Sequence, residues 1–62
     1  MKIETAKDYK VTKYHANGDC SNLGILPGAD VKKILRGYEF DEMFEMWYSK
    51  SANVGYDVKE VK

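Results

Sequence analysis

Hydrophobic and polar residues first alternate with a period of two, between about Tyr9 and His15. Tyr9 and Val11 are separated by a polar residue, as in a strand with one buried face. The tripeptide Ala-Asn-Gly at 16–18 follows, and Asn-Gly favours a hairpin turn because both residues tolerate positive φ. A second extended run, from about Cys20 to Leu26, completes a predicted β-hairpin.

The register of this hairpin follows from the apolar face that it must form. A three-residue loop makes these cross-strand pairs: His15 with Asp19, Tyr14 with Cys20, Val11 with Leu23, and Tyr9 with Ile25. A two-residue loop would instead pair Thr12 with Leu23 and mix apolar and polar side chains on both faces. The three-residue loop is therefore the predicted one.

Helical spacing begins after Pro27 and Gly28, which end the strand. Asp30 is a suitable N-cap for a short helix that carries Val31, Ile34 and Leu35 at helical spacing. Gly37 is expected to stop this helix.

A second helix is predicted from Asp41 to Ser51. At 100° per residue its apolar side chains cover an arc of about 200°, wider than the stripe that one packed face requires; they are Met43, Phe44, Met46, Trp47 and Tyr48. We expect Met43, Phe44 and Trp47 to form the core, and Met46 and Tyr48 to lie at the exposed margins. The two helical stripes are out of phase, which favours a break over residues 38–40.

The last element is a strand over residues 56–61, in which Tyr56 and Val58 alternate with charged residues. The sequence therefore predicts a single α+β domain over residues 1–62. Its sheet is three-stranded and antiparallel, built from the N-terminal hairpin and the C-terminal strand. A helical segment packs on one face, in the order ββ(α)αβ.

Length and charge narrow the classes of function. A chain of 62 residues has a thin core and little room for a deep substrate pocket. Ten Lys and Arg residues balance ten Asp and Glu residues, which argues against binding of nucleic acid by bulk charge. The balance is uneven along the chain. Residues 1–36 contain seven basic and four acidic residues, whereas residues 37–62 contain three basic and six acidic residues.

The single cysteine, Cys20, cannot form an internal disulfide, whereas small secreted domains usually need several. The N-terminus lacks the apolar stretch of a signal peptide, and no apolar run has the length of a membrane span. We therefore expect a cytoplasmic protein that does not enter a membrane.

His15, Asp19 and Cys20 are the candidates for chemistry, because they lie close together around the predicted turn. A zinc site needs three or four ligands of this kind, and the chain contains one His and one Cys. In the predicted hairpin His15 and Cys20 point to opposite faces, so the histidine cannot activate the thiol. The sequence predicts no catalytic site, metal or cofactor, and therefore a protein that is not an enzyme.

Residues that could contact a partner are also predicted from the sequence. Methionine and aromatic residues are enriched at protein interfaces, and carboxylates steer association. The predicted partner-binding residues are Met46, Tyr48, Glu39, Asp41, Glu42 and Glu45. As an alternative, an exposed tyrosine beside lysines could stack a base and hold a phosphate. This nucleic-acid alternative uses Lys10, Tyr14 and Lys13, with Lys10, Thr12, Tyr14 and Asn22 on the outer sheet face.

Residues 40–61 (FDEMFEMWYSKSANVGYDVKEV) resemble the C-terminal part of the small RNA-polymerase inhibitor of T7-like phages. That family places an amphipathic helix headed by Asp-Glu before a short strand of the Gly-aromatic-acid-Val type. Its strand uses arginines against the target, and here only Lys59 stands in comparable surroundings.

The resemblance implies a phage-type inhibitor. Together with the small size, the wide apolar arc and the uneven charge, it leads us to predict a small protein-binding module, either a phage-type inhibitor or an anti-defence protein, anti-CRISPR-like or polymerase-inhibiting. Such a protein occludes a surface of a bacterial enzyme complex in the host cytoplasm. A monomer and a homodimer are both compatible with the sequence.

Overall fold

A computed structural model describes residues 2–61 as one antiparallel sheet with a single helix. The elements along the chain are β1 (Asp8–Tyr14), β2 (Cys20–Pro27), α1 (Gly28–Ile34), β3 (Glu39–Asp41), β4 (Met46–Ser49) and β5 (Val54–Val61). The order in the sheet is β2-β1-β5-β4-β3. The α+β class and the antiparallel sheet are confirmed, but the sheet has five strands where the sequence predicted three.

The first hairpin has the predicted three-residue loop. The His15 N–H donates to the Asp19 carbonyl oxygen at 2.8 Å, and Tyr14 pairs with Cys20. Beyond Thr12 the predicted register is wrong by one residue, because a β-bulge interrupts the pairing and sets Val11 opposite Gly24.

The bulge is centred on Leu23 and Gly24. Gly24 takes a φ of +79°, which glycine adopts without strain, and its N–H donates to the Asn22 side chain at 2.9 Å. As a result Leu26, rather than Ile25, lies opposite Tyr9 and packs on the core. Leu23 and Ile25, predicted to line the apolar face, are exposed instead.

Helix α1 begins at Gly28 with Pro27 as its N-cap, three residues before the predicted N-cap, Asp30. Asp30 therefore lies in the first turn, where its charge suits the helix dipole, and is not the N-cap. Val31 and Leu35 are buried as predicted. Helix α1 ends at Ile34, three residues before the predicted stop, and Gly37 lies in the turn that follows, with a φ of +83°.

The predicted helix over residues 41–51 is wrong, since this segment forms the hairpin of β3 and β4. The Asp41 carboxylate accepts the N–H groups of Met43 and Phe44 at 2.9 and 3.3 Å, which turns the chain at once. Glu45 then takes a φ of +53°, outside the helical region. Met43 and Phe44, predicted to be core residues, are exposed at the tip, and Trp47 alone of the three packs against the core.

The core lies between α1 and one face of the sheet. Its buried residues are Ile3, Tyr9, Val11, Val31, Leu35, Tyr56 and Val58. Val11 lies opposite Val58 across β1 and β5, and Trp47 lies opposite Tyr56 across β4 and β5. Tyr56 and Val58 are buried as the alternation in the last strand predicted.

The segment before β1 packs closely against the start of α1. The Gly28 N–H donates to the Lys7 carbonyl oxygen at 2.7 Å, and the Glu4 N–H donates to the Tyr9 hydroxyl at 2.8 Å. A Cβ on Gly28 would lie 1.8 Å from the Glu4 carbonyl oxygen. Gly28 is therefore required for close approach of two backbones.

Lys7 links this segment to β5 at the surface. Its ammonium lies 2.8 Å from the Glu4 carboxylate and 2.7 Å from the Glu60 carboxylate. The hydrogen bond from Lys7 holds the pKa of Glu4 below its ordinary value. The hydrogen bonds to Glu4 and Glu60 raise the pKa of Lys7.

Gly28→Ala is expected to lower the free energy of unfolding by about 1–3 kcal/mol, because the new methyl group overlaps backbone that cannot move freely. Gly55→Ala is the matched control, since the nearest atom to its added methyl would be the flexible end of Met46, at 3.2 Å, and its other neighbours lie at ordinary contact distances of 3.6 and 3.9 Å. That variant should stay within about 1 kcal/mol of wild type. Urea unfolding measures both, and equal losses would contradict the close approach at Gly28.

Lys7→Met is expected to return the pKa of Glu4 towards its ordinary value, because the hydrogen bond that favours the carboxylate is lost. A carboxyl with a lowered pKa stabilises the fold above its unfolded pKa, and this contribution disappears as the pH falls through the folded pKa. The variant should therefore lose stability near neutral pH and little in strong acid. Carboxyl ¹³C NMR titration measures the shift, with Lys10→Met as control. An unchanged Glu4 pKa in Lys7→Met would contradict the assignment.

Candidate functional site

The hairpin of β3 and β4 (residues 39–49, here the acidic hairpin) carries the most exposed apolar side chains of the described residues. Met43 is 85% exposed and Phe44 is 70% exposed. They are adjacent at the tip, where the Asp41 carboxylate holds both backbone N–H groups. The turn therefore presents a methionine and a phenylalanine to solvent from a defined backbone.

Carboxylates frame this tip on β3 and in the turn. Glu39 and Asp41 lie on β3, while Glu42 and Glu45 lie in the turn, and all four are exposed. Pairing in the hairpin sets Glu39 opposite Tyr48 and Asp41 opposite Met46. All six residues predicted to bind a partner thus lie on one hairpin, although the sequence analysis had assigned five of them, all but Glu39, to a helix.

Met46 and Tyr48 lie on the sheet face that α1 leaves uncovered. Gly55 separates Tyr48 from Tyr14, since both tyrosines are opposite it in the register of β1, β5 and β4. The Met46 methyl lies over the glycine, and the Tyr48 hydroxyl donates to the Asn53 side chain at 2.9 Å. Tyr14 and Tyr48 are about equally exposed, at 40% and 41%, so they extend the acidic hairpin into a patch on the outer face.

The structure does not bring the residues of the nucleic-acid alternative together. Lys10 and Tyr14 lie on the outer face, with Thr12 and Asn22 between them as predicted. Lys13 lies on the opposite face, where its ammonium is 5.9 Å from the centroid of the Tyr56 ring.

The charges around Lys10 are mixed. Lys10 pairs with Lys59, and the neighbouring outer-face positions on the two strands hold Asp8 and Asp57. Carboxylates at diagonal positions of a sheet lie about 7–8 Å away and weaken the field of the two lysines. This face therefore offers a polyanion little net positive charge.

An open groove of about 600 Å³ is lined by β3, the start of its turn and residues 48–51. Its lining includes Glu39, Asp41 and Tyr48 together with Phe40. Phe40 packs against Trp47 with ring centroids 5.3 Å apart, so the groove has a fixed aromatic wall beside its carboxylates. Such a groove can receive a basic or apolar side chain from a partner.

The candidates for chemistry around the first turn are only partly assembled. The His15 Nε2 atom lies 3.0 Å from the Ser21 hydroxyl, a contact that the sequence analysis missed. Cys20 pairs with Tyr14 and so lies on the other face of the hairpin. The His15–Ser21 pair is exposed and supports no more than a surface hydrogen bond.

Within residues 2–61, no group of three or more His, Cys, Asp or Glu side chains is placed to hold a metal ion. None of the helical structure in this range has the length and apolar character needed to cross a bilayer.

Comparisons with protein-family profiles, curated protein sequences and solved structures found no match to this chain.

Met43 and Phe44 are the functional candidates that the sequence analysis missed, because it placed them in the core. Two signals pointed to a hairpin instead. Asp41 precedes Met43 by two residues, the spacing of an Asx turn. Phe40, Trp47 and Tyr48 are aromatic residues, which favour strands.

Asp41→Ala is expected to loosen the tip and to lower the free energy of unfolding by about 1 kcal/mol, because two backbone donors lose their acceptor. Asp41→Asn is the matched control, since its side-chain oxygen can still accept both N–H groups. Urea unfolding gives the stability, and amide temperature coefficients of Met43 and Phe44 report the two hydrogen bonds. Equal behaviour of the two variants would show that the carboxylate does not hold the turn.

Proposed function

We propose that this protein is a small protein-binding module that contacts its partner through the acidic hairpin. The observation that carries the proposal is the pair of exposed side chains, Met43 and Phe44, on a constrained tip. Burying one such side chain in a partner is worth about 1.5–3 kcal/mol. Methionine and phenylalanine are also enriched at interfaces.

The carboxylates indicate the chemistry of the partner. Glu39, Asp41, Glu42 and Glu45 surround the tip, so the complementary surface is an apolar pocket with a basic rim. Charges at such a rim accelerate encounter and exclude wrong partners more than they add affinity. The same carboxylates disfavour insertion of the tip into an anionic membrane surface.

We further propose that binding acts by occlusion, as in a phage-type inhibitor or anti-defence protein directed at a bacterial enzyme complex. Support comes from the small size, from a contact surface larger than the core requires, and from the resemblance of residues 40–61. Because residues 41–51 form a hairpin where the resembling family has a helix, the resemblance supports this step through sequence alone. In this proposal the protein carries out no reaction of its own.

The nucleic-acid alternative stays a prediction. The mixed charges around Lys10 and the position of Lys13 against Tyr56 favour a protein partner over it. Binding of single-stranded DNA or RNA that weakens steeply with salt would support the alternative.

The test compares wild type with the double variant Met43→Ser/Phe44→Ser in affinity capture from bacterial lysate, followed by surface plasmon resonance on each purified partner. The double variant should bind at least about 100-fold more weakly, since two apolar side chains no longer leave water. Leu23→Ser removes an apolar side chain that is 39% exposed on β2, at the opposite edge of the sheet from β3, so it should bind like wild type.

A second pair of variants separates the electrostatic steering of the partner from the apolar packing at the tip. Glu42→Lys/Glu45→Lys should slow association and reverse its salt dependence, whereas Asp30→Lys on α1 should do neither. A folded Met43→Ser/Phe44→Ser variant that retains every specific partner would refute the acidic hairpin as the contact element.

A further inference from the structure

The two edge strands of the sheet are protected to different degrees. On one edge β3 has three residues, two of which are the carboxylates Glu39 and Asp41. On the other edge β2 has eight residues, and none is charged, in a chain that is 32% charged. Proteins commonly protect edge strands with charge or with short length. β3 has both of these protections. β2 has neither, and only the bulge at Gly24 and Pro27 at its end interrupt its edge.

The backbone of β2 offers hydrogen-bonding groups on its outer side. In an antiparallel pair, hydrogen-bonded and non-hydrogen-bonded residue pairs alternate along the strands. Because His15 and Asp19 form a hydrogen-bonded pair, the N–H and C=O groups of Cys20 and Asn22 point away from β1. At the other end of β2, the Gly28–Lys7 hydrogen bond fixes the same alternation. It turns the N–H and C=O groups of Ile25 away from β1 as well. The Ile25 side chain is 61% exposed on the outer face.

We propose that β2 pairs antiparallel with β2 of a second copy of this chain. A two-fold contact requires a surface that is complementary to itself. An uncharged strand meets this requirement in every antiparallel register, because no register sets like charges opposite each other. The exposed Ile25 side chains then gain apolar neighbours from the other copy.

The bulge limits the strength of this contact. The Gly24 N–H is taken by the Asn22 side chain, and Pro27 has no donor. The free edge is therefore divided into two short runs, Cys20–Asn22 and Ile25–Pro27. The contact belongs to the small, weak class of interface, with a dissociation constant on the order of 10–100 µM.

The pairing has a consequence for the acidic hairpin, which rests on the proposed function. Because β2 and β3 are opposite edges, the dimer is a ten-stranded sheet with a β3 at each end. At about 4.8 Å per strand the two hairpins are roughly 40 Å apart. Both stay accessible, so the dimer is bivalent towards a repeated or symmetric partner.

The test is sedimentation equilibrium in reducing buffer from about 1 µM to about 1 mM, in a Cys20→Ser background so that no disulfide can link two copies. The background protein should show a reversible monomer–dimer equilibrium. Ile25→Lys should weaken it at least about 10-fold, since a lysine on an edge strand disfavours pairing. Cys20→Pro removes one outward N–H and should do the same.

Met43→Ser/Phe44→Ser is the control, and its dimerisation should equal that of the background protein. Circular dichroism checks that each variant is folded. If Cys20→Pro does not fold, the result for Ile25→Lys alone decides the test. A monomer at every concentration overturns the proposal. A dimer that persists in the Ile25→Lys variant also overturns it, as does a dimer that is lost only in Met43→Ser/Phe44→Ser. Partner binding by monomeric Ile25→Lys is measured separately, so failure of the dimer and failure of the acidic hairpin are distinguishable.

Discussion

The pairing of β5 with two partners holds the molecule together. β5 lies between β1 and β4, so it joins the N-terminal hairpin to the acidic hairpin in one sheet. On its buried face Val58 lies opposite Val11, and Tyr56 lies opposite Trp47. Tyr56 also contacts Tyr38, with ring centroids 5.3 Å apart, and so connects the chain after α1 to the sheet. A short chain with one helix closes its core in this way, because three separate segments use the same strand as a partner.

This arrangement explains why Met43, Phe44 and the carboxylates beside them are exposed. One short helix covers one face of the sheet, over β1 and β2, and the acidic hairpin extends beyond it at the far edge. Trp47 reaches back to the core while Met43 and Phe44, in the turn, cannot. The backbone at the tip is held by a side chain of the hairpin itself, so the exposed residues do not depend on core packing for their position.

The six residues predicted to bind a partner lie together on one segment, but that segment forms a hairpin and not the predicted helix. Met46, Tyr48 and the four carboxylates were selected from the sequence because the apolar arc is wider than one packed face requires and because carboxylates steer association. A helix and a hairpin both gather residues that are close in sequence, so the six lie together in either structure. The same reasoning failed for Met43 and Phe44, since a helix would have turned them towards the sheet whereas the Asx turn at Asp41 directs them outward.

Where local chemistry was decisive, the sequence alone was sufficient. It determined the turn in which Gly18 takes a positive φ and the buried face of β5, because these depend on turn chemistry and on a period of two. The three-residue loop is present, but the apolar register from which it was predicted is overturned by the bulge. Tertiary structure decided the rest. The bulge at Gly24 shifts the register so that Leu26 reaches the core. Residues 41–51 have an amphipathic pattern compatible with a helix, and they form strands because β5 presents an edge to which β4 can bond. Hydrogen bonds between distant strands leave no trace in local periodicity, so only the folded chain reveals them.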